Sequence, residues 1–449
     1  MKNTEIDMTK GKIFSNIIRF SIPIILSNLL QITFNTADIA VVGQFCGSNA
    51  VAAIGATSPL VHLLINMFIG IAVGVTVTVS HSLGAKKYED SNKYAHTAVA
   101  AALICGIIIA VAGSLIARSA LKMMGTPEGE VLDGAVIYFK IYTMGAPVLL
   151  LYNFSAAIVK ANGDSQKPFI FLTIGGILNV ILNLIFVLIF SMTVDGVALA
   201  TVIANMVSAL LTVRYLINCD NPCKIKLKNI KISKHHLNSI LKFGLPVCIQ
   251  NSMFSIPNMM IQSYINLYGV AAVAGNSAAS NVGHYLDVIG TAASEATINF
   301  VSRNFGAKLY DRIKKSVKII VVTSSLLSLF FGIMTYILRV PVLSIFIPGD
   351  TRAIEYGSIR LMYLIIPYII ACLMTVFNSA LRGLGKPVMP MVISIFSVFV
   401  VRILWLIFIY PFFPSIQCVY FTFPFTWSIA CVILGICYHN TYKKISLKD

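Results

Sequence analysis

Three carboxylates stand deep inside long apolar runs of this 449-residue chain: Asp38, Asp287 and Glu295, out of 17 acids in all. A charge at the centre of a bilayer is costly, so a carboxylate retained there is a candidate for chemistry by default. Such a group can hold a cation or take up a proton. Asp38 follows Gln31 and Asn35 at spacings of seven and three, which puts all three on one helical face, and Asn28 extends the stripe. A polar stripe on an apolar helix either faces a wet cavity or bonds a neighbouring helix. Asn179 and Asn183 stand one turn apart farther along, and Thr201 lies in the next apolar segment. With Asp38 they would supply carboxylate, amide and hydroxyl oxygens, the ligands a hard cation prefers.

The second half of the chain offers different groups. Asp287 and Glu295 are eight residues apart on nearly one face, with His284 one turn before Asp287. A His–Asp pair can relay protons, and the same face can equally wall a water-filled cavity or pair helices. Asn258, Gln262 and Asn266 form another stripe, expected to face the same cavity. Tyr138, Tyr142 and Asn153 fit a flat aromatic cation through stacking and cation–π attraction, although aromatics at such positions also serve plain packing. The stretch "ANGDSQKP" has no Walker spacing, and no nucleophile–base pair or metal-protease helix motif appears elsewhere. Energy is therefore expected from an ion gradient. Cys219 and Cys223, with His235 and His236 downstream, fit no zinc spacing well, and the nine cysteines read mostly as small apolar fillers.

The elements that must position these residues follow from composition. Hydrophobic residues make up 57% of the chain, charged residues only 11%, and the mean hydropathy is +0.84. A soluble domain sits nearer about 45–50% and about 25%. That excludes disorder, collagen and disulfide scaffolds, and leaves an all-α polytopic membrane protein. Breaks at Gly, Pro and charge divide the chain into twelve segments, near 14–43, 51–82, 92–119, 131–158, 168–190, 196–217, 239–267, 271–302, 314–338, 355–381, 387–411 and 417–440. The first is too long for a signal h-region and is expected to remain as a span. Pro23, Pro147, Pro246 and Pro367 fall inside segments and permit bending.

Net charge is +17, from 34 basic and 17 acidic residues. The basic residues lie in short loops without a stacking groove, so they read as loops on an anionic membrane face and not as a nucleic-acid site. With the N-terminus inside, the cytoplasmic side collects 27 of them, Lys2 and Lys448 included, against six on the other side, with Arg402 left within a segment. Both termini are then cytoplasmic.

The two halves repeat. Phe20, Pro23, Asn28 and Asn35 match Phe243, Pro246, Asn251 and Asn258 at a shift of 223. "SHSLGAKK" matches "SRNFGAKL", and "VKANGDSQKP" matches "LRGLGKPVMP", both at 222. Each half has an even number of spans, so both enter from the same side as parallel repeats. Transporters use that arrangement, with a site at the interface and rocking of the halves. The expected divisions are 1–217 and 239–449, lobes of six helices each, joined by a polar cytoplasmic linker at 218–238.

With "FSIPIILSNLLQITFNTADIAVVG", "GSNAVAAIGATSP", "SLGAKK", "VKANGDSQKP", "LNVILNLIF" and "DGVALATVIA", the sequence resembles the MATE (multidrug and toxic compound extrusion) transporters over about residues 8–440. It looks closest to their bacterial NorM-like and MepA-like branches. The resemblance implies twelve helices in two lobes. It also implies a monomer that exports organic, often cationic, compounds across the plasma membrane in exchange for Na⁺ or H⁺, with no cofactor and no metal beyond Na⁺ at Asp38. Asp38 falls where the family places its N-lobe coupling aspartate. Asn183 stands where relatives commonly have Asp, and the acids some branches carry in segment seven are missing here. Two other readings compete. A flippase for lipid-linked saccharides, from the same wider superfamily, would need a basic cavity, and Lys140, Arg360 and Arg402 form no obvious cluster in the sequence. An intramembrane enzyme would need paired catalytic groups, and only His284 with Asp287 is available.

Overall fold

The computed structural model describes residues 5–447, which leaves Lys2 and Lys448 outside the described residues. All regular elements among them are helical. Without water to satisfy backbone groups, a spanning segment must bond its own N–H and C=O groups, and long apolar runs with few breakers do so as helices. The first half builds α1 (Ile13–Phe45), α2 (Ser48–Gly84), α3 (Tyr88–Met123), α4 (Glu130–Met144), α5 (Ala146–Ala161), α6 (Gln166–Leu184) and α7 (Val194–Asn218). The second builds α8 (Lys234–Met253), α9 (Ser255–Asn266), α10 (Val270–Gly306), α11 (Tyr310–Ile337), α12 (Arg339–Phe346), α13 (Thr351–Ile365), α14 (Tyr368–Gly383), α15 (Val388–Ser394), α16 (Val401–Leu404) and α17 (Ile416–Ser446).

Eight helical runs are long and apolar enough to cross a membrane alone, and two bent pairs add two spans. The pairs are α4 with α5, bent by 46°, and α13 with α14, bent by 47°. Pro147 and Pro367 stand at these breaks, each removing a backbone donor that would continue the helix. The two remaining spans are the most polar of the chain. One is α8 with α9, carrying Gln250, Asn258, Gln262 and Asn266, and the other is α10, carrying Asp287, Glu295 and Arg303. The count is twelve, in two sets of six, as the hydropathy pattern predicts.

The chain forms two compact units. Unit 1 is Met1–Asp7 with Ile22–Leu245, and unit 2 is Met8–Ser21 with Pro246–Asp449. The first turns of α1 thus belong to unit 2 and those of α8 to unit 1, which differs from divisions at 217 and 239. The 218–238 stretch is folded onto α3 within unit 1. Asn92 Nδ2 donates to the carbonyls of Pro222 and Lys224, at 3.2 and 2.8 Å, and Lys226 N donates to His96 Nε2 at 3.0 Å. Cys223 and Ile225 are fully buried there.

Close backbone approach sets the core of each unit. In unit 1, Phe68, Leu150, Phe154 and Ile158 pack together, and Gly106 lies so near α5 that a Cβ would sit 2.2 Å from Pro147 Cα. In unit 2, a Cβ on Gly275 would sit 2.2 Å from the Ala353 carbonyl oxygen. Small residues at helix contacts are how membrane helices gain van der Waals packing without a hydrophobic driving force.

Candidate functional site

In unit 1, α1, α6 and α7 bring the first group of polar residues together. Asp38 is half-buried on α1 and accepts a hydrogen bond from Asn183 Nδ2 at 2.5 Å. Asn183 is fully buried, and its Oδ1 has no hydrogen-bond partner. One turn earlier on α6, Asn179 donates to Thr201 Oγ1 of α7 at 3.3 Å, while that hydroxyl donates to the Val197 carbonyl at 3.0 Å. The four residues form two bonded pairs on adjoining turns. A buried acceptor without a donor, beside a carboxylate, is a poor hydrogen-bond arrangement and a good cation ligand set. A π-helical turn, Ile185–Ile189, follows Asn183 directly. Such turns interrupt α-helical bonding and recur at functional sites.

Tyr138 is half-buried on α4, stacks on Tyr142 with centroids 6.4 Å apart and planes at 15°, and lies within the electrostatic reach of Asp38. Gln31 and Asn35 are exposed on the face of α1 that carries Asp38. Asn153 donates to the Leu149 carbonyl of its own helix at 2.7 Å, which uses one of its two N–H donors.

Unit 2 joins its polar residues into one chain. Gln262 donates to Asn266 Oδ1 and accepts from Asn276 Nδ2, both at 2.9 Å. Arg360, on α13, donates through Nη1 to the carbonyl and Oδ1 of Asn276, at 2.7 and 2.6 Å, and to the Ser280 hydroxyl. Tyr420 of α17 donates to the same Oδ1 at 3.4 Å. Arg402, on α16, donates to Asn258 Oδ1 at 3.1 Å and Thr426 Oγ1 at 3.2 Å. Asn258 is therefore bonded to an arginine and not simply aimed into water. Asp287 is exposed on α10 and lies within electrostatic reach of Arg360 and Tyr368. Glu295, half-buried, lies two turns farther along α10, where Ser294 and Ser379 exchange a hydroxyl bond of 2.7 Å.

What sequence reasoning missed is that Arg402 bonds α9 and α17 directly while Arg360 connects to both through Asn276 of α10. The signal was present: at the shift of 223, Asn179 corresponds to Arg402 and Asp38 to Ile261. Among the described residues, no three His, Cys, Asp or Glu side chains converge as a metal site. Cys219 Sγ donates instead to Asn221 Oδ1 at 3.2 Å.

Apolar helices built as two repeats, with a lone carboxylate among amides, define a membrane transporter. The MatE family model matches residues 23–185 and again 246–408, which is most of the chain and the same 223-residue offset. The chain belongs to the MatE family. It is similar to "Probable multidrug resistance protein YoeA" of Bacillus subtilis, at 26% identity over 88% of this chain and 86% of the relative. It is also similar to "Multidrug export protein MepA" of Staphylococcus saprophyticus, at 23% identity over 70% and 69%. Among solved structures, a MOP superfamily transporter from Pyrococcus furiosus, titled for the reverse polarity of its binding pocket, aligns at a TM-score of 0.92. An outward-facing multidrug resistance MATE transporter aligns at 0.91. Each is 20% identical and covers 99% of both chains, a likeness of fold.

Proposed function

We propose that this chain is a monomeric antiporter of the plasma membrane. It exports drug-like organic compounds by alternating access, driven by inward movement of Na⁺ or H⁺, with both termini cytoplasmic. It is a carrier and not an enzyme, and its ion is cargo, so no resident cofactor is needed. The observation that carries this reading is the Asp38–Asn183 pair with the orphaned Asn183 Oδ1 beside it. A cation or proton arriving there neutralises the one fixed charge of the cluster, and the ion gradient can do work only if that event favours one access state over the other. Pro23 and Pro246, which match at the repeat shift, lie within two residues of the points where α1 and α8 pass between units, and each removes a helical hydrogen bond. These are the places where the proposed movement would bend the chain. The names of the relatives, resistance and export proteins, support export of drugs over flipping of lipid-linked saccharides.

The test is efflux from everted vesicles under separate Na⁺ and pH jumps, comparing wild type with Asp38→Asn. The amide keeps shape and loses charge. Gradient-driven efflux should fall to background while insertion and thermal stability persist. An Asp38→Asn protein that pumps like wild type, beside an inactive Asp287→Asn, would move coupling to unit 2.

A further inference from the structure

Among the arginines in the helices of unit 2, Arg360 and Arg402 hydrogen-bond only to neutral groups around α10, α9 and α17. Arg402 is 3% exposed, and its guanidinium lies 4.4 Å from the Phe423 ring centroid. Its two terminal nitrogens meet only the neutral side chains of Asn258 and Thr426, and its Nε has no partner. Arg360 meets only Asn276 and Ser280, and its Nε is likewise without a partner. Among the described residues, no carboxylate lies within salt-bridge reach of either one. Asp287 acts at longer range on Arg360.

Arg402 reaches α9 and α17 directly, and Arg360 connects to the same helices through Asn276 of α10. Asn258 and Gln262, one turn apart on α9, connect to Arg402 directly and to Arg360 through Asn276. On α17, Tyr420, Phe423 and Thr426 follow at three-residue steps, so one face meets Arg402 through Phe423 and Thr426 and the amide that Arg360 bonds, Asn276, through Tyr420. Neutral amides and hydroxyls satisfy the geometry of a guanidinium but not its charge, and a buried charge left uncompensated is strongly unfavourable. The scaffold does not demand that charge, since the matching position in unit 1 is neutral at either repeat shift, Asn179 at 223 and Val180 at 222. Guanidinium is the group that binds carboxylate and phosphate oxygens through several N–H donors at once.

We propose that Arg360 and Arg402 bind an oxyanionic group, a carboxylate, sulfonate or phosphate monoester, on the transported compound. The substrates then include anionic or zwitterionic amphiphiles, with Phe423 and Tyr420 beside the anion to receive an aromatic body. This rests on the exporter reading for its substrate, while the binding itself is measured without any gradient.

The chain's two tryptophans flank the site and make it observable. Trp405 is three residues beyond Arg402, and the Trp427 ring lies 5.6 Å from that of Phe423. Purified full-length protein in nanodiscs of zwitterionic lipid is titrated with phenyl phosphate, with benzyltrimethylammonium and benzyl alcohol as cationic and neutral controls, and tryptophan emission is followed. A saturable response to phenyl phosphate alone is expected. It should weaken at least about tenfold in Arg402→Gln, and in Arg360→Gln should the first variant not fold, and survive within a few-fold in Arg402→Lys. Asp38→Asn should keep it, so a failure of coupling and a failure of this site are told apart. Several results would overturn the proposal: no saturable response, an equal response in both glutamine variants, equal binding of inorganic phosphate, or a response seen only in discs of anionic phosphatidylglycerol. The last two would assign the arginines to a free ion or to a lipid headgroup.

Discussion

Unit 1 and unit 2 are two versions of one sequence pattern, yet the fixed charges at their polar centres have opposite sign. Unit 1 gathers amides and a hydroxyl around one carboxylate, Asp38. Unit 2 gathers amides and hydroxyls around two guanidiniums, Arg360 and Arg402. The supporting polar residues are of the same kind in both, and both fifth spans contain π-helical turns beside the site, Ile185–Ile189 in one and Trp405–Ile409 in the other. Duplication therefore supplied a bundle able to hold a charge, and single substitutions set which charge. Asn179 against Arg402 and Asp38 against Ile261 account for much of the inversion.

The comparison breaks most visibly if the charges are exchanged. Asn179→Arg gives unit 1 the residue that unit 2 has at the matching position, one turn from the amide that bonds Asp38. The guanidinium should pair with that carboxylate and displace the coupling ion, reducing efflux to background in everted vesicles. Efflux that persists with unchanged Na⁺ and pH dependence would mean that Asp38 does not act through its charge.

Packing should show the likeness beneath the difference. Gly106→Ala and Gly275→Ala each force a Cβ to within 2.2 Å of a neighbouring backbone atom, one in each unit. Each should cost about 1–3 kcal/mol. Gly290→Ala, which meets nothing within 4 Å, should leave stability within about 0.5 kcal/mol. Thermal unfolding of purified protein, read by tryptophan emission and by aggregation, would check all three. A Gly275 variant as stable as wild type would show that the two bundles are not packed alike.

The smallest effect concerns a histidine that only unit 1 contains. His236, in the first turn of α8, sits against Tyr94 with ring centroids 4.6 Å apart, and its Nδ1 shares a 2.7 Å hydrogen bond with Ser233. Burial lowers its pKa, with His235 and Lys93 adding to the effect and Asp90, 3.8 Å away, opposing it. A depressed pKa means the folded state favours the neutral ring. Its contribution is complete above the unfolded value near 6.5 and is lost as pH falls through the folded one. Melting temperature should decline slightly from pH 7 to 5, and His236→Gln should flatten that slope. Its repeat counterpart, Ile13, has nothing to titrate.

Much of this was legible in the sequence, because in a bilayer hydropathy and breaker residues largely dictate architecture. The twelve segments match the twelve spans, and Pro147 and Pro367 mark the two bent ones. Helical spacing was enough to pair Asn179 with Asn183 and to set Gln31, Asn35 and Asp38 on one face. What spacing cannot show is which helix a face meets. Asn258 is exposed on the stripe that helical spacing gives it, and its oxygen also accepts from Arg402, 144 residues later, a partner that spacing does not show. Arg360 and Arg402 form no cluster in the sequence because they are linked through side chains of α9, α10 and α17, and no local pattern encodes that. Likewise nothing in the polar 218–238 linker signals that Asn92 and His96 hold it against α3.

The allocation of chain segments between units bears on how the protein is made. Residues 8–21 leave the ribosome early but belong to unit 2, whose other residues begin at Pro246. Arg312 is the side chain that gathers the carbonyls of Met8, Lys10 and Gly11, and it is synthesised about 300 residues after them. At about 5–20 residues per second, that segment waits roughly 15–60 s for its partners. During the wait the head of the first helix is an unfinished piece, exposed to the insertion machinery and to proteases. Translation speed between residues 21 and 312 sets the length of that wait. Slowing codons placed within that stretch should lower the amount of intact protein more than the same codons placed after residue 312.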